Sequence, residues 1–170
     1  LLNVGSRPIL ETIIGQFIDA GFCNFYISTH YKAEMIWEYF GDGSKWGINI
    51  KYLHESEPLG TAGALGLLPD DMPELPIVVM NGDLLTKVNF EHLLDFHHDQ
   101  GGTATMCIRE YDIQVPYGVV DIGEQYLTGI VEKPIHKFFV NAGIYVLEKG
   151  VINRINDDSY LDMPNFFDAQ

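Results

Sequence analysis

Pro76-Ile77-Val78-Val79-Met80-Asn81-Gly82-Asp83 is the stretch on which the fold turns. Its first part is a compact apolar run of the kind buried in a parallel sheet. It breaks into a polar turn, so Asp83 falls just past the carboxyl end of the strand. In an open parallel sheet ligands bind beyond those ends. A carboxylate there is well placed to hold Mg²⁺, which takes one or two carboxylates plus phosphate oxygens. Asp is equally the residue of Asx turns and helix caps, and the stretch alone does not choose between these readings.

Working outward, the segments before this strand alternate in type. Ile9, Leu10, Ile13, Ile14, Phe17 and Ile18 mark one face of a helix from Pro8 to Ala20, with Ser6 as its cap and Gly21 closing it. Phe25 to Thr29 reads as a buried strand, and Lys32 to Phe40 as a helix stopped by Gly41-Asp42-Gly43-Ser44. Ile48 to Leu53 alternates as a strand, and a short helix follows over Thr61 to Leu68. Asn89 to His98 is helical. Beyond it, strands are predicted over Thr103 to Ile108, Gly118 to Asp121, Leu127 to Glu132 and Gly143 to Leu147, with a last helix near Met163. This order predicts an α/β fold whose mixed sheet is parallel and doubly wound early and gains antiparallel strands later.

Composition narrows the function classes. The 170 residues suit one domain with a real core, 46% of them being hydrophobic. No run approaches the roughly 20 apolar residues that a membrane helix needs. With 24 acidic against 10 basic residues and a formal net charge of −14, nucleic-acid binding is disfavoured. Such a chain repels phosphates unless a metal ion or a few placed cations reverse the sign locally, so phosphate chemistry here implies a divalent cation. Cys23 and Cys107 lie in apolar stretches and read as two buried free thiols of a cytoplasmic protein. His54, His97, His98 and His136 form no zinc-like spacing, and the pair His97-His98 reads as solvated at a helix end. Trp37 and Trp46 are expected to pack around the second helix and its turn.

Two further segments fall at strand ends. Glu55-Ser56-Glu57-Pro58-Leu59-Gly60-Thr61-Ala62-Gly63-Ala64 joins a strand to a helix. Its small residues would let a flat ring or phosphate approach the backbone, with free N–H groups at the helix start; the same glycines would also suit a turn that merely packs closely. Val131-Glu132-Lys133-Pro134 closes another strand. Glu132 could accept from a sugar hydroxyl and Lys133 could meet a phosphate, though a solvated turn would carry the same charges.

Taken together and in order, these segments resemble the sugar-1-phosphate nucleotidylyltransferase family, and in Glu-x-x-Pro-Leu-Gly-Thr-Ala-Gly its mannose-1-phosphate guanylyltransferase-like branch. Glu55 to Ala64, Gly82-Asp83, Tyr117-Gly118, Glu132-Lys133-Pro134 and Asn141-Ala142-Gly143-Ile144-Tyr145 follow the family's sequence of motifs. The opening stretch from Leu1 to Leu10 also looks like the family's segment after its first lysine. The resemblance implies a Rossmann-like fold in one nucleotidyltransferase domain over residues 1–170, incomplete at both ends. The family's first strand, its glycine-rich phosphate loop and a lysine would precede Leu1, and a second metal-binding Asp would follow Gln170. Strands beside the first one would then lack a partner, and the chain alone would be inactive.

The resemblance also implies roles. Asp83 would hold Mg²⁺ at the α-phosphate of a nucleoside triphosphate, and Lys133 would meet the incoming sugar 1-phosphate; these two are the catalytic candidates. Glu55, Gly60, Thr61 and Gly82 would bind the nucleotide. Gly118, Glu132, Lys133 and Asn141 would bind the sugar phosphate. Glu55 offers only acceptors, which matches the two adjacent donors on guanine's Watson–Crick edge and favours GTP. The alternative is a non-catalytic nucleotide-sugar-binding or regulatory domain on the same fold. A glycosyltransferase reading is weaker, because Leu84 and Leu85 follow Asp83 where an Asp-x-Asp pair would be needed. The expected partners are small phosphorylated molecules, with neither nucleic acid nor membrane, and homo-oligomers are left open.

Overall fold

The computed structural model describes residues 2–156 and 159–169. In chain order the elements are β1 (Asn3–Val4), β2 (Arg7–Pro8), α1 (Ile9–Asp19), β3 (Asn24–Thr29), α2 (Ala33–Phe40), β4 (Asn49–His54), α3 (Gly60–Gly63), β5 (Ile77–Met80), α4 (Phe90–Gln100), β6 (Ala104–Gln114), β7 (Gly118–Ile122), β8 (Leu127–Glu132), β9 (Ile135–Leu147), α5 (Lys149–Ile152) and α6 (Met163–Asp168). The chain divides into two compact units. One comprises Leu1–Thr105 with Tyr145–Gln170, the other Met106–Ile144.

In the first unit β3 and β4 run parallel, pairing Asn24 with Asn49 through Thr29 with His54. The apolar face of α1 buries Ile13, Ile14 and Phe17. Ile14 joins Phe40, Ile48 and Ile50 in a core that Leu10, Ile18, Phe25, Ile27, Ile36, Trp46 and Tyr52 flank. Phe17 stacks on Phe90 with ring centroids 4.1 Å apart and meets Phe22 and Phe25 edge-on. One aromatic cluster therefore ties α1, β3 and the start of α4 together. Gly41 and Gly101, both at positive φ, end α2 and α4. Asn89 caps α4 by accepting the His92 amide at 3.0 Å.

Several expectations need correction. Among the described residues no side chain caps α1, whose first turn follows directly from Pro8 rather than from Ser6. Every residue of β5 is half-buried rather than buried, because β5 is the outer strand of the sheet β5-β9-β6. Most of β3 is likewise half-buried or exposed, since among the described residues β4 is its single ladder partner. Cys23 is exposed and Cys107 half-buried; both thiols are free, and burial raises that of Cys107. Trp46 packs on Tyr39 and Phe40, but Trp37 is 59% exposed. His98 is exposed as expected, whereas His97 is buried between Thr105 and Glu148.

Lys149 is also buried, an exception among lysines that its partners explain. Its ammonium donates to the carbonyls of Asp70 and Met72 at 2.9 and 2.8 Å and lies 2.8 Å from Glu74 Oε1. It thereby pins the connection between α3 and β5.

The second unit is built on strands. β7 and β8 form an antiparallel hairpin with Gly118 opposite Glu132 and a register shift at Asp121 and Ile122. β6 and β9 run well past their predicted ends, through Arg109 to Gln114 and from Ile135 onward. Charged and polar residues interrupt both stretches, so neither shows the apolar alternation of a strand. A Lys137–Glu110 ion pair accompanies these extensions.

Candidate functional site

The loop from Glu55 leaves β4 at the carboxyl end of the parallel pair. The Glu55 amide continues the ladder by donating to Thr29 O at 2.9 Å, and a ring nitrogen of His30 lies 2.9 Å from Glu55 O. The Glu55 carboxylate is held at both oxygens. Ser28 Oγ donates to Oε1, and the Leu59 amide donates to Oε2 at 2.9 Å. A carboxylate has about four lone-pair sites, so one on each oxygen is left. Ser56, Glu57 and Pro58 are exposed, while Leu59 and Ala62 are buried.

The following turn is occupied in a way its sequence does not announce. The amides of Ala62 and Gly63 both donate to Leu161 O, at 2.8 and 3.0 Å, and the Leu161 amide donates to Leu59 O at 2.8 Å. Thr61 donates its amide to Asp162 Oδ1 at 3.1 Å and its hydroxyl to the same oxygen at 3.3 Å. Thr61 Oγ1 in turn accepts the Met163 amide at 2.8 Å, so it caps α6 from across the chain. A Cβ at Gly60 would lie 2.6 Å from Leu161 O, and one at Gly63 would lie 2.4 Å from Ser159 O. Gly60 also has φ +78°, a conformation that glycine adopts without cost. The expectation of free N–H groups along this helix start is therefore corrected: those of Thr61, Ala62 and Gly63 are already bonded. The glycines do provide close packing, against the 159–162 segment.

Tyr160 closes this arrangement by donating to Asp162 Oδ2 at 2.7 Å. That bond, followed by the Thr61 amide, holds the Asp162 carboxyl below its usual range, and the same bond raises the Tyr160 phenol.

Gly82 and Asp83 form the turn after β5. A Cβ at Gly82 would find its nearest neighbour, Leu10 Cδ1, 4.0 Å away, so space rather than contact surrounds it. Asp83 is exposed, and among the described residues its carboxylate makes no hydrogen bond or ion pair. It is neither a cap nor an Asx turn. Among the described residues no group of three or more His, Cys, Asp and Glu side chains could hold a metal. A lone strand-end carboxylate fits a Mg²⁺ that completes its shell with substrate phosphates and water, and does not fit a cation caged by protein alone.

In the second unit three predicted residues come together at one end of the β7–β8 hairpin. Glu132 Oε2 would lie 3.0 Å from a Cβ at Gly118, so its carboxylate sits close over the Gly118 backbone. Glu132 Oε1 lies 4.0 Å from Lys133 Nζ, both side chains being exposed. The Lys133 amide donates to Tyr117 O at 3.2 Å and its backbone takes φ 48°, rare for a residue with a Cβ. Asn141 stands on β9, where its Oδ1 accepts the Gly143 amide at 2.8 Å.

The sequence profile described as Nucleotidyl transferase matches residues 1–167. This chain belongs to the nucleotidyl transferase family. Among its relatives, the mannose-1-phosphate guanyltransferase of Saccharomyces cerevisiae is 36% identical over 165 residues, 91% of this chain and 45% of that protein. The mannose-1-phosphate guanyltransferase of Pichia angusta is 34% identical over 164 residues, again 91% of this chain and 45% of that protein. The chain thus spans about half the length of the curated relatives it matches. Among solved structures, HddC from Yersinia pseudotuberculosis superposes with a TM-score of 0.71 at 25% identity, over 94% of this chain and 71% of that one. The α/β fold is accordingly the Rossmann-like one of nucleotidyl transferases, with parallel and antiparallel strands.

For a nucleotidyl transferase chain, two residues of the first unit escape a motif reading. Asp162 precedes Met163-Pro164 and is legible as a helix N-cap, but its bond to Thr61, 101 positions away, leaves no local trace. Ser28 lies mid-strand, and nothing in its surroundings forecasts that it orients Glu55.

Proposed function

We propose that this chain is the core of an enzyme that transfers a nucleotidyl group, guanylyl in our reading, from a nucleoside triphosphate to a sugar 1-phosphate. The observation that carries this reading is the uncommitted Asp83 carboxylate at the end of β5, in a chain of this family with a net charge of −14. A phosphate oxygen of the sugar 1-phosphate attacks the α-phosphorus, the bond from that phosphorus to the bridging oxygen breaks, and pyrophosphate leaves. Such a displacement needs alignment and charge neutralisation rather than a protein nucleophile. Mg²⁺, when bound, neutralises charge on the reacting phosphates.

The protein's own groups have separable tasks. Asp83 holds the cation, and Lys133 neutralises the incoming sugar phosphate. Glu132 accepts from sugar hydroxyls beside Gly118, and Asn141 contributes to the same ligand. Glu55, Gly60 and Gly82 receive the nucleotide, and Thr61, whose amide and hydroxyl are bonded to Asp162, belongs to the same loop. The lone pairs that Ser28 and Leu59 leave on Glu55 suit the N1–H and amino donors of guanine. The guanyltransferase names of the yeast relatives support the same base. Residues 1–170 act as one nucleotidyltransferase domain. Two free thiols agree with a cytoplasmic protein, and among the described residues no helix is long and apolar enough to cross a membrane.

Pyrophosphate release by the full-length protein, over a panel of nucleoside triphosphates and sugar 1-phosphates with Mg²⁺, tests the reading. Turnover should require both substrates and be fastest with GTP. Absence of turnover with every pair would discard it.

A further inference from the structure

We propose that Asp162 is a positioning residue for the nucleotide loop, acting through Thr61 to fix the backbone between Leu59 and Gly63. The proposal rests on the reading of Glu55 to Gly63 as the nucleotide-binding loop. The loop is a short helix of Gly60–Gly63 joined to β4 by an exposed stretch, with little of its own to define its shape. Its shape comes from the 159–163 strap. Leu161 exchanges three backbone hydrogen bonds with Leu59, Ala62 and Gly63, and Asp162 takes both Thr61 donors on one oxygen. Met163 and Tyr160 then fix Thr61 Oγ1 and the second Asp162 oxygen. The glycines let the two backbones approach closely enough for these bonds.

The bonds are arranged so that one face of the loop is fastened and the other left open. Leu59, Ala62 and Gly63, whose backbones bond to the strap, are buried, while Ser56, Glu57 and Pro58 stay exposed. The Leu59 amide connects the two, because it orients the Glu55 carboxylate. A strap that slips would therefore displace the Leu59 amide and disorient Glu55. A nucleotide held by this loop would lose affinity without either Asp162 or Tyr160 touching it.

The test uses Asp162→Asn, Thr61→Val and Thr61→Ser in the full-length protein. Hydrogen exchange at the Ala62 and Gly63 amides is read without substrate, and KM for GTP and for the sugar 1-phosphate are read separately. Asp162→Asn and Thr61→Val should speed exchange at both amides and raise KM for GTP about tenfold, the scale of one charge-assisted hydrogen bond, with KM for the sugar phosphate unchanged. Thr61→Ser, which keeps the hydroxyl, should restore both values. Faster exchange with an unaltered KM for GTP would overturn the proposal, as would a parallel rise in both KM values. A wild-type protein that bound no nucleoside triphosphate would overturn the loop reading itself, and that failure is visible before any variant is made.

Discussion

The imidazole Nε2 of His97 lies 3.2 Å from Glu148 Oε1, and its Nδ1 lies 2.7 Å from Thr105 Oγ1, in a residue only 2% exposed. One side chain thus joins α4 to the start of β6 and to Glu148, which links β9 to α5. The Glu148 amide reinforces the junction by donating to Thr103 O at 2.9 Å. His97→Ala would empty the site and take the partner from Thr105 Oγ1, while Glu148, its side chain 43% exposed, would turn to water. The expected loss is about 2–4 kcal/mol of unfolding free energy, read from urea denaturation at constant m-value. A loss below about 0.5 kcal/mol, the size of an ordinary surface change, would contradict this role.

Gly63 and Gly15 should respond oppositely to alanine. At Gly63 the added Cβ would stand 2.4 Å from the Ser159 carbonyl, a backbone atom that cannot swing aside. A cost of about 1–3 kcal/mol is expected. At Gly15, inside α1, nothing lies within 4 Å of the added atom. Gly15→Ala should stabilise by about 0.5–1 kcal/mol through helix propensity. Thermal midpoints of the two variants, taken side by side, check the contrast.

The depressed Asp162 carboxyl makes the strap sensitive to acid in a defined direction. A carboxyl whose folded value lies below its unfolded one stabilises fully above the unfolded value, near 4, and loses that contribution as pH falls through the folded value. Wild type should therefore melt above Asp162→Asn by a constant margin from about pH 5 to pH 8, and the margin should close below about pH 4. A margin independent of pH down to strongly acid solution would show that the charge contributes nothing.

Glu55→Gln tests base reading and loop structure together. The amide nitrogen of Gln cannot accept, so either Ser28 Oγ or the Leu59 amide loses its acceptor. We expect the preference for GTP over UTP to fall by about tenfold or more in kcat/KM. Unchanged selectivity would assign the base contact to other groups.

How much of this was legible in the chain depends on the range of the forces involved. Local patterning located α1, β4, β8 and α4 to within a residue or two, because apolar periodicity and glycine stops act over a few positions. It failed for the outer halves of β6 and β9, where charged residues are tolerated because those faces are exposed. It failed for His97, since a partner 51 residues away decides whether an imidazole is solvated or enclosed. The Gly60–Gly63 turn was visible as a loop needing small residues, but not what the glycines face. Gly118 and Glu132 were legible only as separate motifs; the hairpin register sets them opposite each other, with Lys133 next in the chain after Glu132.

The most direct test of the central claim is the rate of pyrophosphate release by full-length Asp83→Asn, with Mg²⁺, GTP and a sugar 1-phosphate at saturation. The free carboxylate binds no other described residue, so the substitution should leave the thermal midpoint within about a degree of wild type. Turnover should fall by about 10²-fold or more, because the charge that neutralises the reacting phosphates would no longer be anchored. A variant that kept its rate to within about threefold would contradict the assignment of Asp83.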